Sequence, residues 1–460
     1  MRDLARVLLA KRFILILLIA SNASLASFAQ TILDRDPVIE QAVKEVSVPE
    51  MHKLIEDLVS FHNRNNLSSM NEKEKGIGAS AEYLYKKVAS FIPSSQGRLG
   101  VEKVFYTTGG INTRMGREVN LCNVVATIKG SNATDNRVIA LLAHYDSRSL
   151  EGNDSTEYAP GANDNGSGVA CLMEMTRLMS RIDLPVTIKI MFLSGEEHGL
   201  LGAGHMAEIA QKEKWNLIAV INNDMIGNSN ASETNTHSNN MVRVFSENTP
   251  ISENEELRKI RIFNSSENDS PSRQLARYIK EVGERYVDNM TVRLIYRNDR
   301  FGRGGDHTPF CRKGYTAVRV CEMNENYYRT HQKTEEKNGI RYGDEIWAID
   351  FEYVRKNTGI NLAVATNLAL APDVPVNVKI DVSGLTNYTE LSWEAPQKGK
   401  VPAAYYVLMR ETDQSGWQKK ILVHGTNIRL PYSKDNYFFA VQSVDENAHE
   451  SLPVFAVGSF

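Results

Sequence analysis

The sequence predicts a layered α/β domain followed by a small all-β sandwich, on three observations. Beyond about residue 100, short β-rich runs alternate with helix-like runs, the pattern of strands joined through crossing helices. Past Ala371 the prolines Pro372 and Pro375 punctuate the chain, and only short alternating strands with turn signals follow. A length of 460 residues exceeds what one ordinary core serves and favours two or three structural units. The expected division is a leader over 1–29, an α/β domain over 30–371 and a β domain over 372–460.

Taken in order, the chain opens with a targeting segment. Arg2, Arg6, Lys11 and Arg12 precede the apolar run Phe13 to Ala20, and the small residues Ser27 and Ala29 suit a signal-peptidase site before Gln30. The expected location is therefore exported, periplasmic or extracellular. The apolar run falls short of the ~20 residues a membrane span needs. No later segment reads as a span, and no cysteine follows the run to carry a lipid anchor. From Met51 to Lys87 the pattern is helical and polar, with the charge run Asn71 to Lys75 expected on a solvated helix face and no visible chemistry.

The runs Arg137 to Ala143, Val186 to Leu193, Leu217 to Asn222 and Thr316 to Val320 read as buried strands. Helix-like stretches, Val169 to Met179 and Leu200 to Lys212, lie between them. In the tail, Thr389 to Trp393, Ala404 to Arg410 and Tyr437 to Val444 alternate apolar with polar residues, as sandwich strands do. Four cysteines make no disulfide scaffold at this length. Cys122 and Cys171 read as core, and Cys311 with Cys321 is the one candidate pair. A net charge of -3, without a basic stripe interleaved with aromatics, gives no reason to expect a nucleic-acid partner.

Five segments end in a metal-competent side chain at the carboxyl end of a strand, where open α/β sheets collect ligands. "VIALLAHYDS" delivers His144 and, two residues on, Asp146, placed to hold the other imidazole nitrogen and fix the tautomer. Alone, His144 would read as a satisfied histidine at a strand end. "GANDNGSGVA" presents Asp164 from a glycine-rich loop, where an Asx-turn or helix cap is the bland alternative. "IKIMFLSGEEHGLLGA" sets Glu196 beside Glu197 after a very apolar strand. Adjacent carboxylates repel unless a cation or proton lies between them, so Glu197 is the candidate ligand and Glu196 the candidate base. Two solvated glutamates at a helix N-terminus would also account for that pair. "LIAVINNDMIG" closes on Asp224, and "YYRTHQKTEE" offers His331. Two histidines with three carboxylates form a ligand set suited to zinc, also tolerable for cobalt or manganese. With five ligands for two ions, one carboxylate must serve both, at a metal spacing of about 3.5–4 Å.

These ordered motifs resemble the co-catalytic zinc exopeptidases that include bacterial leucyl aminopeptidases, aminopeptidase Y and glutamate carboxypeptidase. The resemblance covers roughly residues 100 to 370. It implies a mixed open sheet flanked by helices and two Zn2+ ions. His144 and Asp224 would hold one, Glu197 and His331 the other, with Asp164 bridging. It further implies Glu196 as general base and Asp146 as the acid behind the first histidine, acting on terminal bonds of peptide substrates. "GGDHTPF" looks like a further family motif, placing Asp306 and His307 near the site, and a competing arrangement makes His307 the fifth ligand. The pattern departs from relatives after His331, where Thr334 and Glu335 follow in place of an aspartate and a threonine. The tail resembles a fibronectin type III module through Trp393 in "LSWEAP", Tyr405 and Tyr406 in "AAYYVLMR" and Tyr437 in "NYFFAVQSVD", and is expected to position the enzyme or bind a protein or surface partner.

Aminopeptidase activity is the leading expectation. Arg297, Arg300 and Arg303 ahead of Asp306 would instead clamp a substrate carboxylate if the chain were a carboxypeptidase or dipeptidase, unless they form a solvated basic loop. A single-zinc glutaminyl cyclase and a non-catalytic binding protein on the same scaffold are the remaining alternatives.

Overall fold

A computed structural model describes residues 33–458; the expected leader, residues 1–29, lies outside the described residues. Among the described residues, no helix is long and apolar enough to cross a membrane. An eight-stranded mixed sheet in the order β1-β2-β4-β3-β5-β8-β6-β7 forms the centre. Its strands are β1 (Leu99–Gly109), β2 (Glu118–Ile128), β3 (Arg137–His144), β4 (Thr187–Leu193), β5 (Asn216–Asn223), β6 (Met241–Ser246), β7 (Thr291–Ile295) and β8 (Ala317–Glu322). The middle strands β4, β3, β5 and β8 run parallel, while β2 pairs with β1 and β4, and β6 with β8, in antiparallel fashion.

Strand β3 shows how the sequence dictates this. Its side chains alternate between faces, so Ile139, Leu141 and Ala143 enter one apolar cluster and Ala140 and Leu142 another. Both faces are covered by helices, and the strand is apolar from Val138 to Ala143, as buried parallel strands are. The helices begin where capping residues allow. Asn165 caps α4 (Gly166–Met179) by accepting the Gly168 N–H, and Asp350 caps the long α9 (Phe351–Leu370) through the Tyr353 N–H. Parallel pairing aligns the strand ends: His144 lies opposite Leu193, and Leu142 opposite Asn222. The loops that leave β3, β4 and β5 therefore converge at one edge of the sheet.

Two sequence expectations need correction. The stretch from Met51 to Lys87 is not one helical run but α2 (Val48–Ser60) and α3 (Gly76–Ala89), and the charges of Asn71 to Lys75 lie on exposed non-helical chain between them. The same connection buries Asn63, Arg64, Asn65 and Asn66. Cys311 and Cys321 do not pair; both are buried free thiols, as are Cys122 and Cys171.

After α9 the chain forms two four-stranded sheets, one in the order β15 (Asn427–Leu430), β12 (Thr389–Glu394), β11 (Val376–Ile380), β18 (Val457–Gly458) and the other in the order β14 (Lys419–Val423), β13 (Ala404–Glu411), β16 (Tyr437–Val444), β17 (Val454–Phe455). Val378, Leu391 and Trp393 from one meet Val407, Met409, Phe439 and Val441 from the other in a common core. This sandwich joins the α/β part through buried charge. Asp269, in the turn before α7 (Pro271–Tyr286), accepts Arg277 at 2.9 Å and the sandwich residue Arg410 at 2.6 Å, all three being almost completely enclosed.

Candidate metal centre

At the end of β3, His144 is completely buried. Its Nδ1 lies 3.1 Å from the backbone carbonyl of Asp146 and 3.4 Å from that residue's carboxylate. The closer hydrogen bond is thus to main chain, but either contact keeps the proton on Nδ1 and leaves the Nε2 lone pair bare. Nε2 has no hydrogen-bond partner and points between Asp164, at 3.3 Å, and Asp224, at 3.9 Å. The Asp146 carboxylate acts mainly on the next loop. It accepts the N–H groups of Glu196 at 3.3 Å and Glu197 at 3.1 Å, and the Asn66 side-chain amide at 2.6 Å.

Asp164 comes from the loop before α4, and that loop is held on both sides of its backbone. Arg64 donates to the carbonyls of Pro160 and Gly161, as well as to Tyr145 and Leu58. Asp344 accepts the N–H groups of Asn163 and Asp164, the latter at 2.7 Å. Gly161 is required here, because its φ is +51° and a Cβ would come within 2.5 Å of the Asp164 carbonyl oxygen. The result is that one oxygen of Asp164 lies 3.3 Å from His144 Nε2 and the other 3.0 Å from His331 Nε2.

His331 Nε2 also meets Glu197 at 2.8 Å. Donor atoms of Asp164, Glu197 and His331 all fall within 4.8 Å of one another, as do those of His144, Glu196 and Asp224. Every residue expected in the site is therefore brought together. His307 is not part of either group; its Nε2 turns to the Asn298 carbonyl at 2.9 Å. The unusual sequence after His331 also has a physical basis: a short hairpin, β9 (Glu335–Lys337) with β10 (Ile340–Tyr342), carries the chain to Asp344.

The electrostatics show what is wanted in the gap. Burial pushes the Glu196 carboxyl well above the usual range, and Asp224, Glu197 and Asp306 add to this against the pull of His144. Burial opposes a charge on His331, yet Glu197 and Asp164 outweigh it and lift the imidazole to about 10. Glu196 and Glu197 resist ionising, while Asp164 and Asp224 are held ionised by the neighbouring histidines and Arg319, so the cluster draws protons and describes a site short of positive charge. The orphaned Nε2 of His144 and the shared carboxylate of Asp164 fit divalent zinc.

Of the three arginines expected as a possible carboxylate clamp, only Arg300 is held by carboxylates among the described residues. Arg300 is tied to Asp299 and Glu325, and Arg297 lies over the Phe301 ring; Arg303 is exposed. The sequence reading missed Arg64, Asn66, Arg319 and Asp344. Arg319, on β8, pairs with Asp224 at 3.0 Å while completely buried.

Residues 123–345, which carry every one of these candidate donors, match Peptidase family M28. A probable zinc metalloprotease of Leptosphaeria maculans is 38% identical over 418 residues, covering 91% of this chain and 96% of the relative. The chain belongs to Peptidase family M28. A second relative, the probable zinc metalloprotease of Pyrenophora tritici-repentis, is 37% identical over 424 residues, covering 91% of this chain and 97% of the relative. Among solved structures, the Legionella pneumophila LapA aminopeptidase superposes with a TM-score of 0.52 at 19% identity, covering 74% of this chain and 78% of that one. LapB from the same organism gives 0.51 at 17% identity, covering 75% and 79%. At such identities the likeness is one of fold. This M28 chain is accordingly a zinc metalloprotease with the α/β architecture of that family.

Proposed function

We propose that this M28 protein is an exported exopeptidase with a two-zinc centre, and that it acts as an aminopeptidase. The observation that carries the reading is Asp164, whose two oxygens face two different imidazoles, with the Glu196 carboxylate close to His144 and Asp224. His144 and Asp224 would hold one ion, Glu197 and His331 the other, and Asp164 both. Bound there, zinc supplies a Lewis acid for the scissile carbonyl and acidifies the attacking water.

The chain's own residues do the rest. Glu196, positioned through its backbone by Asp146, takes the proton of the water and returns it to the leaving amine. Asp146 fixes the His144 tautomer and aligns the Glu196–Glu197 turn in one contact set. Internal use of Arg300 removes one cation from the loop that would have to grip a substrate carboxylate, which favours an aminopeptidase over a carboxypeptidase. The basic, apolar and small-residue order of residues 1–29 supports export. Two facing sheets closed around Trp393 support the fibronectin type III reading of the tail.

Hydrolysis of one peptide in free, N-acetylated and C-amidated forms tests the assignment. Loss of cleavage on N-acetylation alone is expected. Loss on C-amidation with the N-acetylated peptide still cleaved would instead mark a carboxypeptidase.

A further inference from the structure

The two candidate donor groups differ in what stands behind them. Strand β8 runs beside β5 with Arg319 opposite Asn222, so its side chain reaches the edge where Asp224 leaves the sheet. Gly305 leaves room for it, since a Cβ there would come within 3.2 Å of the Arg319 Cδ. The guanidinium then lies between two carboxylates, Asp224 at 3.0 Å and Asp299 at 3.0 Å, and also donates to the Gly304 carbonyl. Asp299 in turn meets Arg300, Arg300 meets Glu325, and Glu325 meets Arg243, a line of alternating charge leading away from the site. On the other side, Asp164 and Glu197 form ion pairs only with histidines among the described residues. Arg64 lies behind that loop but spends its hydrogen bonds on backbone carbonyls.

We propose that Arg319 makes the zinc centre unequal: by sharing Asp224 it loosens the ion held by His144 and Asp224, while the ion held by Glu197 and His331 stays tight. The inference rests on the two-zinc reading above. A buried guanidinium draws on the same carboxylate charge that would bind the dication and repels that dication at short range, where little water screens it. Neutral or acidic partners of metal ligands support metal affinity by ~10–100-fold; Arg319 differs in bringing a positive charge that competes with the dication for the Asp224 carboxylate. The loosely held ion is the exchangeable one, and the centre is expected to fill and empty in two steps.

The test is stepwise removal of zinc from the loaded full chain by graded pyridine-2,6-dicarboxylate, with bound zinc measured by emission spectroscopy. The wild type should release one ion per chain at a chelator activity at least ~10-fold below that needed for the second. Asp224→Asn should lose the loose ion and keep the tight one. Arg319→Met removes the charge while Arg300 continues to satisfy Asp299, and should bring the two steps together. Asp299→Asn frees Arg319 to act on Asp224 alone and should separate them further. This opposite sign keeps the question open to test if Arg319→Met fails to fold. Joint release of both ions from the wild type, loss of the tight ion in Asp224→Asn, or an unchanged separation in Arg319→Met or Asp299→Asn overturns the inference. Saturation at a single zinc per chain overturns the two-zinc reading itself, and the inference with it.

Discussion

Asp344 accepts the backbone N–H of Asp164 at 2.7 Å, so the residue that faces both imidazoles is anchored by its main chain rather than by its side chain. That arrangement leaves both carboxylate oxygens of Asp164 available while fixing where they point. It predicts that Asp344→Ala lowers zinc affinity by ~10–100-fold, as loss of a supporting contact does. Asp344→Asn, which keeps an acceptor oxygen, should retain most of it. Zinc retention during dialysis of the two variants checks this, and equal loss in both would show that the charge, not the hydrogen bond, is what Asp344 contributes.

The join between the two parts predicts a stability effect far from the chemistry. Asp269 is the shared counter-ion of Arg277 and Arg410, so Asp269→Ala leaves two buried guanidiniums with backbone carbonyls and rings but without their carboxylate. Breaking a buried pair by removing one partner costs about 3–5 kcal/mol. Thermal unfolding of the variant should move to lower temperature, with the sandwich melting ahead of the α/β part; an unchanged transition would contradict a joined pair of units.

Acid sensitivity follows from Asp445 in the sandwich. Burial raises its carboxyl, but hydrogen bonds from His449 and Lys400 outweigh this and hold it down at about 2. A folded pKa below the ordinary value of 3.8 means that the stabilisation is fully present above that value and is lost as the pH falls through about 2. The amount is on the order of 2 kcal/mol. Asp445→Asn should be less stable than the wild type at pH 7 by about that amount. The two proteins should converge between pH 4 and pH 2 in denaturant titrations.

Much of the site was legible in the sequence because strand ends carry it. An apolar run followed within three residues by a histidine, two glutamates or an aspartate states both the strand and the place where it stops, and β3, β4 and β5 fall within a residue or so of where those runs predict them. The supporting contacts were not legible, because they cross long separations. Asn66 lies in a polar stretch that reads as solvated helix, yet its amide reaches Asp146. Arg64 looks like any surface arginine until the chain closes over it and supplies carbonyls from four residues. Asp344 is separated from His331 by a short hairpin, one strand exposed and the other half-buried, that carries no pattern pointing to the site. The cysteine pair failed for a related reason: flanking one apolar segment says nothing about whether two thiols face each other.

The most direct measurement is the zinc content and turnover of Glu196→Gln, taken on one sample with an aminoacyl-nitroanilide as substrate. With Glu196 as the proton carrier beside an intact donor set, the variant should keep two zinc ions per chain and lose about a hundredfold to ten-thousandfold in rate. A near wild-type rate at full zinc content would contradict it.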